Sequence, residues 1–263
     1  MLTLTIILFN IIFLNPFKNG KMAGLNLINS CESCTHGWKS FRHLGSDELQ
    51  MINDNRYEAT FKPGEIMLKQ GSPTSSALFM SNGLAKTYIE GLNGKNFILG
   101  IAQPGSLIAG PGVYVNSRHT YSVSAITTVQ SCFISFDIFK QLVRSNSAFA
   151  ESFIEDISEK ALRSHVRMVN LVQKRMSGRL AEILLYFADE VFKSDEYEMI
   201  MSRQELGEMT SMAKECVVRI LKELEDSGLI YSDSSKIKIL EEQKGRPSLV
   251  FPPLAGGDGG EGE

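Results

Sequence analysis

Turn-forming residues recur about every ten positions from Tyr57 to Phe139, and this spacing constrains the fold more than any other feature of the chain. The stretches between the turns are short, and they are either apolar or alternate apolar with polar residues, as in residues 77–80 and 85–89. Short strands at such regular intervals predict a β-sandwich or barrel. The turn clusters are Phe61-Lys62-Pro63-Gly64-Glu65, Lys69-Gln70-Gly71-Ser72-Pro73, Ser81-Asn82-Gly83, Gly91-Leu92-Asn93-Gly94 and Gln103-Pro104-Gly105.

The hydrophobic period changes at Phe149. From there to Arg175, apolar and small residues fall at spacings of three and four, which predicts an amphipathic helix of about eight turns. Such a helix can pack on its own β-domain or form a parallel coiled coil with a second subunit. The narrow seam, interrupted by small and polar residues, favours the coiled coil. The predicted seam consists of Phe153, Ile157, Ala161, Ser164, Met168 and Leu171, and another helix is predicted over residues 177–192.

The segment from Ser202 to Leu240 predicts a helix-turn-helix followed by a β-hairpin. Ser202 with Glu205 three residues later is a capping box, so one helix is predicted over residues 203–209. A second is predicted over residues 213–227 and ends at Gly228. Residues 229–231 and 236–240 alternate as two strands. The predicted core between the helices consists of Leu206, Met209, Val217, Ile220, Leu221 and Leu224.

The outer face of the second predicted helix presents a glutamate and an arginine one turn apart, Glu215 and Arg219, flanked by Lys214, Val218 and Lys222. A major-groove reader is built in this way. Glutamate accepts a hydrogen bond from cytosine N4, and arginine donates two to guanine O6 and N7. Small α+β domains of other function also contain two amphipathic helices and a hairpin, so spacing alone leaves that alternative open.

The residues themselves resemble the Crp/Fnr regulators over roughly residues 40–240, in one consistent order. In the C-terminal part, the likeness lies in Ser202-Arg203-Gln204-Glu205-Leu206-Gly207 and in the run from Lys214-Glu215-Cys216 to Ser227-Gly228-Leu229-Ile230. In the β-domain it lies in Lys62-Pro63-Gly64-Glu65, Gln70-Gly71, Ser81-Asn82-Gly83 and Pro104-Gly105-Ser106-Leu107-Ile108. The resemblance implies an α+β fold: an N-terminal β-roll similar to cyclic-nucleotide-binding domains, a long dimerisation helix and a C-terminal winged helix-turn-helix.

The resemblance also implies a function. The chain would be a sequence-specific transcription regulator and not an enzyme, binding double-stranded DNA as a homodimer and acting with RNA polymerase. The Glu-x-x-x-Arg pair implies a palindrome with TGA-like half-sites, while Lys214 and Val218 depart from the best-known members and leave the outer bases open. The base-reading residues would be Lys214, Glu215, Val218 and Arg219, and the phosphate-binding residues Ser202, Arg203, Gln204 and Ser211.

The signal is not expected to be cAMP. Cyclic-nucleotide-binding members hold the ribose with a glutamate and the cyclic phosphate with an Arg-Ser or Arg-Thr pair. An ungapped placement from Pro104-Gly105 puts Gly110 at the glutamate position and Thr120-Tyr121 at the pair, with Arg118 nearby. A buried phosphate without its arginine lacks a charge-paired donor. The effector is therefore expected to be a redox or metal signal, or another small molecule bound by the β-domain.

Three cysteines suggest the redox or metal signal. Cys31 and Cys34 precede the β-domain, and Cys132 falls in the strand before a predicted turn at Asp137-Ile138-Phe139. They are similar to the set with which Fnr proteins bind an iron–sulfur cluster. Clusters usually take four thiolates, so His36 or His43 would have to supply the fourth ligand. A thiol–disulfide switch at Cys31/Cys34, a bound metal ion and no role at all are the alternatives. Cys216 is interpreted as a packing residue.

Composition limits the other possibilities. The formal net charge of −3 requires any DNA-binding surface to be local, and the few, unevenly spaced cysteines favour a reducing, cytoplasmic setting. The apolar run at residues 2–14 is short of the roughly 20 residues that span a bilayer, so no membrane association is expected; residues 1–21 are interpreted as an upstream extension before Met22. The expected organisation is residues 1–30 a non-native or flexible extension, 31–148 the β-roll, 149–176 the dimerisation helix, 177–246 the winged helix-turn-helix and 247–263 a disordered tail.

Overall fold

The computed structural model describes residue 31 and residues 38–108, 111–233 and 235–240. The predictions for residues 1–30 and 247–263, for Cys34, for His36 and for Gly110 lie outside these residues. Within the described part of the chain, no helix combines the length and apolar character needed to cross a membrane.

The N-terminal domain is a sandwich of two four-stranded antiparallel sheets, ordered β1-β8-β3-β6 and β2-β7-β4-β5. Apolar side chains from both sheets, including Leu78, Met80, Val123 and Val129, fill the space between them, as the alternating pattern predicts. The strands are β1 (Arg56–Phe61), β2 (Ile66–Leu68), β3 (Ser76–Asn82), β4 (Ala85–Glu90), β5 (Asn96–Ala102), β6 (Leu107–Ile108), β7 (Ser122–Ala125) and β8 (Val129–Ser135).

Two helices and an aromatic cluster cover the first sheet. Helix α1 spans Ser46–Asp54, and helix α2 spans Phe136–Ser145. The turn expected at Asp137-Ile138-Phe139 is wrong, because these residues form the first turn of α2 and Phe139 is buried. The Phe139 ring lies 5.6 Å from that of Phe149 and 6.2 Å from that of Trp38.

Helix α3 spans Ser147–Gln173, so its length is about 40 Å at 1.5 Å per residue. Asn146 caps it by accepting a hydrogen bond from the Phe149 amide. Its first turns are buried against the sandwich, and its remainder is largely exposed. Phe153 packs in the aromatic cluster of its own domain, 5.0 Å from the Phe139 ring, so it does not contribute to the exposed seam for which it was predicted.

The C-terminal part is a winged helix-turn-helix, so the predicted order of N-terminal β-domain, long helix and C-terminal winged helix-turn-helix is confirmed. Helix α4 (Met176–Tyr186) continues as a π-helical turn, Phe187–Phe192, where an uninterrupted α-helix was predicted. The wing has three strands, because β9 (Glu196–Glu198) pairs with β11 on the side away from β10 and was not predicted. The other elements are α5 (Arg203–Thr210), α6 (Lys214–Asp226), β10 (Ile230–Asp233) and β11 (Lys236–Ile239).

The core of the winged helix continues onto the sandwich. Tyr88 of β4 and Ile98 and Ile101 of β5 belong to the same buried cluster as Leu180, Leu206 and Val217. Strand β5 is the edge of its sheet, and edge strands are commonly covered by other elements. The winged helix therefore packs along that edge.

Candidate DNA interface and signal site

Helix α5 begins at the predicted capping box. The Ser202 hydroxyl accepts from the Glu205 amide at 3.2 Å, and the Glu205 carboxylate accepts from the Ser202 amide at 2.8 Å. Lys86 of β4 donates to the same carboxylate at 2.5 Å. Burial disfavours the charged carboxylate, but hydrogen bonds from Lys86 and Ser202 outweigh it and lower the pKa of Glu205. The start of α5 is thus fixed both within its own domain and to the sandwich.

The turn between α5 and α6 is tight for identifiable reasons. Ser211 adopts the left-handed conformation, with φ of 56°. A Cβ at Gly207 would lie 2.5 Å from the Met212 carbonyl oxygen, so the close approach of the turn to α5 requires glycine. The Thr210 hydroxyl donates to the Leu206 carbonyl at 2.7 Å. These contacts determine where α6 starts.

Helix α6 has one buried and one exposed face. Val217, Ile220 and Leu221 are buried against α4 and α5. The opposite face exposes Glu215 and Arg219 together with Lys214, Val218 and Lys222. A four-residue spacing is about one helical turn, so Glu215 and Arg219 lie side by side toward solvent. Arg219 forms an ion pair with Glu223 on the same helix, which a guanine would have to replace.

The four predicted phosphate-binding residues differ in their surroundings. Ser202, Gln204 and Ser211 are exposed, and Arg203 is half-buried. Burial lowers the pKa of Arg203. The Ser202 hydroxyl already serves the helix cap, and Gln204 donates to Glu208 at 3.4 Å. Ser202 and Arg203 lie at the amino-terminal end of α5, where backbone amides and the helix dipole favour an anion.

The exposed face of α3 carries an apolar seam. Ile157 is 48% exposed and Met168 is 61% exposed, and Ala161 and Ser164 lie between them on the same face. Leu171 is half-buried. Ile154, which is exposed on the same side, takes the place predicted for Phe153. This stripe at three- and four-residue spacing is typical of a two-stranded coiled coil.

The predicted effector region has no arginine aimed inward among its described residues. The Arg118 guanidinium is exposed and donates to the Gly71 carbonyl at 2.6 Å. His119 is buried, its Nδ1 lacks a hydrogen-bond partner within the described structure, and burial lowers its pKa. Thr120 is exposed, and burial raises the pKa of Tyr121 to about 12. A buried cyclic phosphate needs an arginine and a hydroxyl that donate to it together. The described residues 118–121 do not present such a pair, because Arg118 and Thr120 are both exposed.

Two of the three predicted cysteines lie beside one arginine. Cys132 is buried on β8, and its sulfur accepts a hydrogen bond from Arg56 Nη1 at 3.3 Å. Burial works in the opposite direction, but Glu58, Cys132 and Cys31 together raise the pKa of Arg56. Cys31 packs against the cluster that contains Cys132.

The described residues do not make up the ligand set of an iron–sulfur cluster. No group of three or more His, Cys, Asp or Glu side chains within the described ranges could hold a metal ion. His43 is exposed, and Cys216 is partly buried on α6. The described residues thus bring together two thiols and a guanidinium, whereas a cluster usually takes four thiolates.

Comparison with known proteins agrees with this division of the chain. Residues 58–146 match the model of the cyclic nucleotide-binding domain, and residues 178–244 match that of the Crp-like helix-turn-helix domain. The chain belongs to the Crp/Fnr family. It is a DNA-binding transcription regulator and not an enzyme.

Relatives of this Crp/Fnr protein cover most of its length. It is 23% identical to electron transport regulator A of Shewanella oneidensis over 233 residues, 86% of this chain and 93% of that protein. It is 27% identical to the transcriptional activator protein Anr of Pseudomonas aeruginosa over 202 residues, 74% and 79% of the two chains. The structure of FixK2 from Bradyrhizobium japonicum superposes with a TM-score of 0.64 at 18% identity, covering 71% of this chain and 93% of that chain.

Sequence reasoning missed the residues that connect the domains. Arg167 of α3 donates to the carbonyls of Ile98 and Leu99 on β5 and, at 2.9 Å, to that of Met209 on α5. The Tyr186 hydroxyl accepts from the Ile101 amide at 3.2 Å. Arg167 directly precedes the predicted seam residue Met168. A charged residue between apolar positions of a helix is expected to face solvent, so the sequence pattern did not indicate the backbone partners of Arg167.

Proposed function

We propose that this Crp/Fnr regulator binds, as a homodimer, a palindrome with TGA-like half-sites, and acts on transcription with RNA polymerase. The observation that carries the proposal is the exposed face of α6, where Glu215 and Arg219 lie one turn apart above a fully packed opposite face. Arg219 reads the guanine and Glu215 the cytosine of the half-site. Contacts to phosphates, which determine the register of the protein on the duplex, come from Ser202, Arg203, Gln204 and Ser211. The outer bases of the half-site are faced by Lys214 and Val218.

The test is a titration of fluorescent duplexes, monitored by anisotropy at fixed salt. We expect Arg219→Ala to weaken binding to the palindrome by about 10–100-fold, the value of one bidentate base contact, and to change binding to a scrambled duplex little. Arg203→Ala should weaken binding to both duplexes and reduce the salt slope by about one. Asp226→Ala, at the other end of α6, is the control. Equal loss on both duplexes for Arg219→Ala would contradict base reading.

The dimer part of the proposal rests on the seam of α3. The seam is an exposed stripe of apolar and small side chains, Ile157, Ala161, Ser164 and Met168. Ile154 and Leu171 extend it at its two ends. Leu162 is as exposed as Ile157, 47% against 48%, but it lies about 140° around the helix at 100° per residue. Ile157→Glu should therefore shift the chain to monomer in sedimentation velocity while Leu162→Glu leaves a dimer. A dimer that survives Ile157→Glu unchanged would place the interface elsewhere.

The controlling signal is proposed to be a redox or metal signal at the cysteines, or a small molecule in the β-domain, and not cAMP. The absence of cAMP from the proposal is supported by Arg118, which is exposed and whose guanidinium donates to the Gly71 carbonyl. The redox or metal signal is supported by the position of Cys31 and Cys132 beside Arg56. Addition of cAMP should leave DNA affinity unchanged; a cAMP-dependent gain in affinity would contradict this part.

Spectra and iron and sulfide analysis of protein purified without oxygen distinguish the remaining signals. Absorbance near 400 nm that air bleaches and Cys132→Ala removes, with Cys216→Ala as the control, would identify a cluster completed by residues such as Cys34. Iron-free protein whose DNA affinity responds to oxidant would identify a thiol switch, which is predicted at Cys31/Cys34. Iron-free protein that does not respond would leave a small molecule as the signal.

A further inference from the structure

Strand β5 contains a bulge at the edge where the winged helix packs. The ladder with β4 pairs Thr87 with Gly100 and then Tyr88 with Ile98, so Leu99 is an extra residue on β5. A bulge disrupts the ladder locally and redirects backbone groups. Because β5 is the edge of its sheet, groups that point away from β4 need partners from outside the sheet.

Side chains of two helices supply those partners. Arg167 of α3 donates to the carbonyls of both Ile98 and Leu99, and its guanidinium lies 4.9 Å from the centre of the Phe97 ring. Tyr186 of α4 accepts from the Ile101 amide through its hydroxyl. The long helix therefore holds the carbonyls of the bulge, and the first helix of the winged domain holds the nearby Ile101 amide.

The same guanidinium reaches the helix-turn-helix. Arg167 also donates to the Met209 carbonyl, and Arg179 donates to that of Thr210 at 2.9 Å. These carbonyls belong to the last turn of α5, where helix geometry leaves acceptors without intrahelical partners and the dipole favours a cation. Ser211 and the start of α6 follow directly. A side chain of α3 thus connects the edge of the sandwich to the turn from which the recognition helix starts.

We propose that Arg167 is a positioning residue for DNA recognition: by joining the β5 bulge to the carboxyl end of α5, it fixes the recognition helix relative to the dimer helix. Its hydrogen bonds are to backbone carbonyls and none is to a residue of α6, so it acts on the recognition helix through α5. Two recognition helices held in fixed orientation match only one separation of half-sites. Without Arg167, we expect the winged helix to turn about the link between α3 and α4, residues 174–175. It would then reach half-sites at several separations, with a lower effective concentration at the best one.

This inference rests on the proposed palindrome binding, and its test separates the two. Duplexes carry two inverted TGA half-sites whose central spacer varies in single base pairs, and affinities are measured for the full chain at fixed salt. The wild-type chain should prefer one spacing by roughly tenfold or more over spacings two base pairs away. Wild-type protein that binds no half-site duplex better than a scrambled one contradicts the proposed function itself.

The variants then test Arg167. Arg167→Gln should reduce the spacing preference to less than about threefold, and Tyr186→Phe, which keeps the ring and removes one hydrogen bond, should reduce it partially. Arg42→Gln, the same change at an exposed arginine of the segment Lys39–His43, is the control. Hydrogen exchange of peptide 96–102, which contains the bulge, should quicken in both Arg167→Gln and Tyr186→Phe while peptides from β3 and β8 stay protected.

A general loss of stability would lower affinity for every duplex and leave the ratio between spacings unchanged, so the ratio reports positioning. A folded Arg167→Gln chain that keeps the wild-type spacing ratio overturns the proposal. Unchanged exchange at peptide 96–102 in that variant overturns it as well, because the guanidinium would then not be what holds the bulge. If Arg167→Gln does not fold, Tyr186→Phe carries the same two criteria.

Discussion

Replacing Glu205 separates two roles of a single carboxylate at the start of α5. Glutamine at this position keeps a capping-box acceptor but removes the ion pair with Lys86. In that pair the Lys86 side chain is 23% exposed and the Glu205 side chain 24% exposed. At that exposure the pair is worth about 0.5–1 kcal/mol, and we expect Glu205→Gln to reduce the free energy of unfolding by that amount. Alanine also removes the carboxylate half of the capping box, the hydrogen bond that the Ser202 amide donates, worth about 1 kcal/mol more, for a total of about 2 kcal/mol.

Urea unfolding followed by circular dichroism at 222 nm measures both changes, and a double-mutant cycle with Lys86→Gln isolates the pair. In the Glu205→Gln background, Lys86→Gln should have little further effect. The pKa of Glu205 is lowered by its hydrogen bonds, so the stabilisation is present above the unfolded value of about 4.3 and is lost as the pH falls through the lower folded value. Equal stability of wild type and Glu205→Gln at pH 7 would refute the contribution of the ion pair.

Two further substitutions test the packing. In thermal melts, Gly207→Ala should destabilise the helix-turn-helix by about 1–3 kcal/mol, because its Cβ would lie 2.5 Å from the Met212 carbonyl oxygen. The control is Gly178→Ala in α4, whose Cβ would have its nearest contact at 3.8 Å; it should be neutral or slightly stabilising. Phe149→Ala should cost about 3–5 kcal/mol in denaturant unfolding, since the ring is fully buried in the aromatic cluster, whereas Leu92→Ala at an 89% exposed position should change stability by less than about 0.5 kcal/mol. Equal effects within either pair would contradict the packing described.

Local signals explain why most of the architecture could be predicted. Turn clusters such as Ser81-Asn82-Gly83 mark strand ends because their backbone conformations are demanding, and Gly83 indeed has a positive φ of 86°. Gly228, with φ of 68°, marks the end of α6 for the same reason. The capping box at Ser202 marks the start of α5 because its side chains satisfy free backbone amides of the first turn. The order of elements follows from these markers and from the change of hydrophobic period at α3.

What could not be predicted depends on contacts distant in sequence. Asp137-Ile138-Phe139 resembles a turn until the aromatic cluster of Trp38 and Phe149 is present to bury Phe139. Phe153 has the correct helical spacing for the seam, yet the same cluster takes its side chain. Arg167 and Tyr186 bond to backbone groups at and beside a bulge, and backbone groups leave no trace in the residue pattern. Spacing therefore reports which face of a helix is apolar but not which neighbour covers it.

We propose that the exposed face of α6 reads DNA as part of a symmetric dimer. Selection of bound sequences from a pool of random duplexes, with the full chain at physiological salt, examines both parts of this proposal at once. We expect enrichment of an inverted repeat with TGA-like half-sites at one spacing, and loss of that enrichment with Arg219→Ala. Enrichment of no sequence, or of a site without inverted symmetry that Arg219→Ala leaves intact, would contradict it.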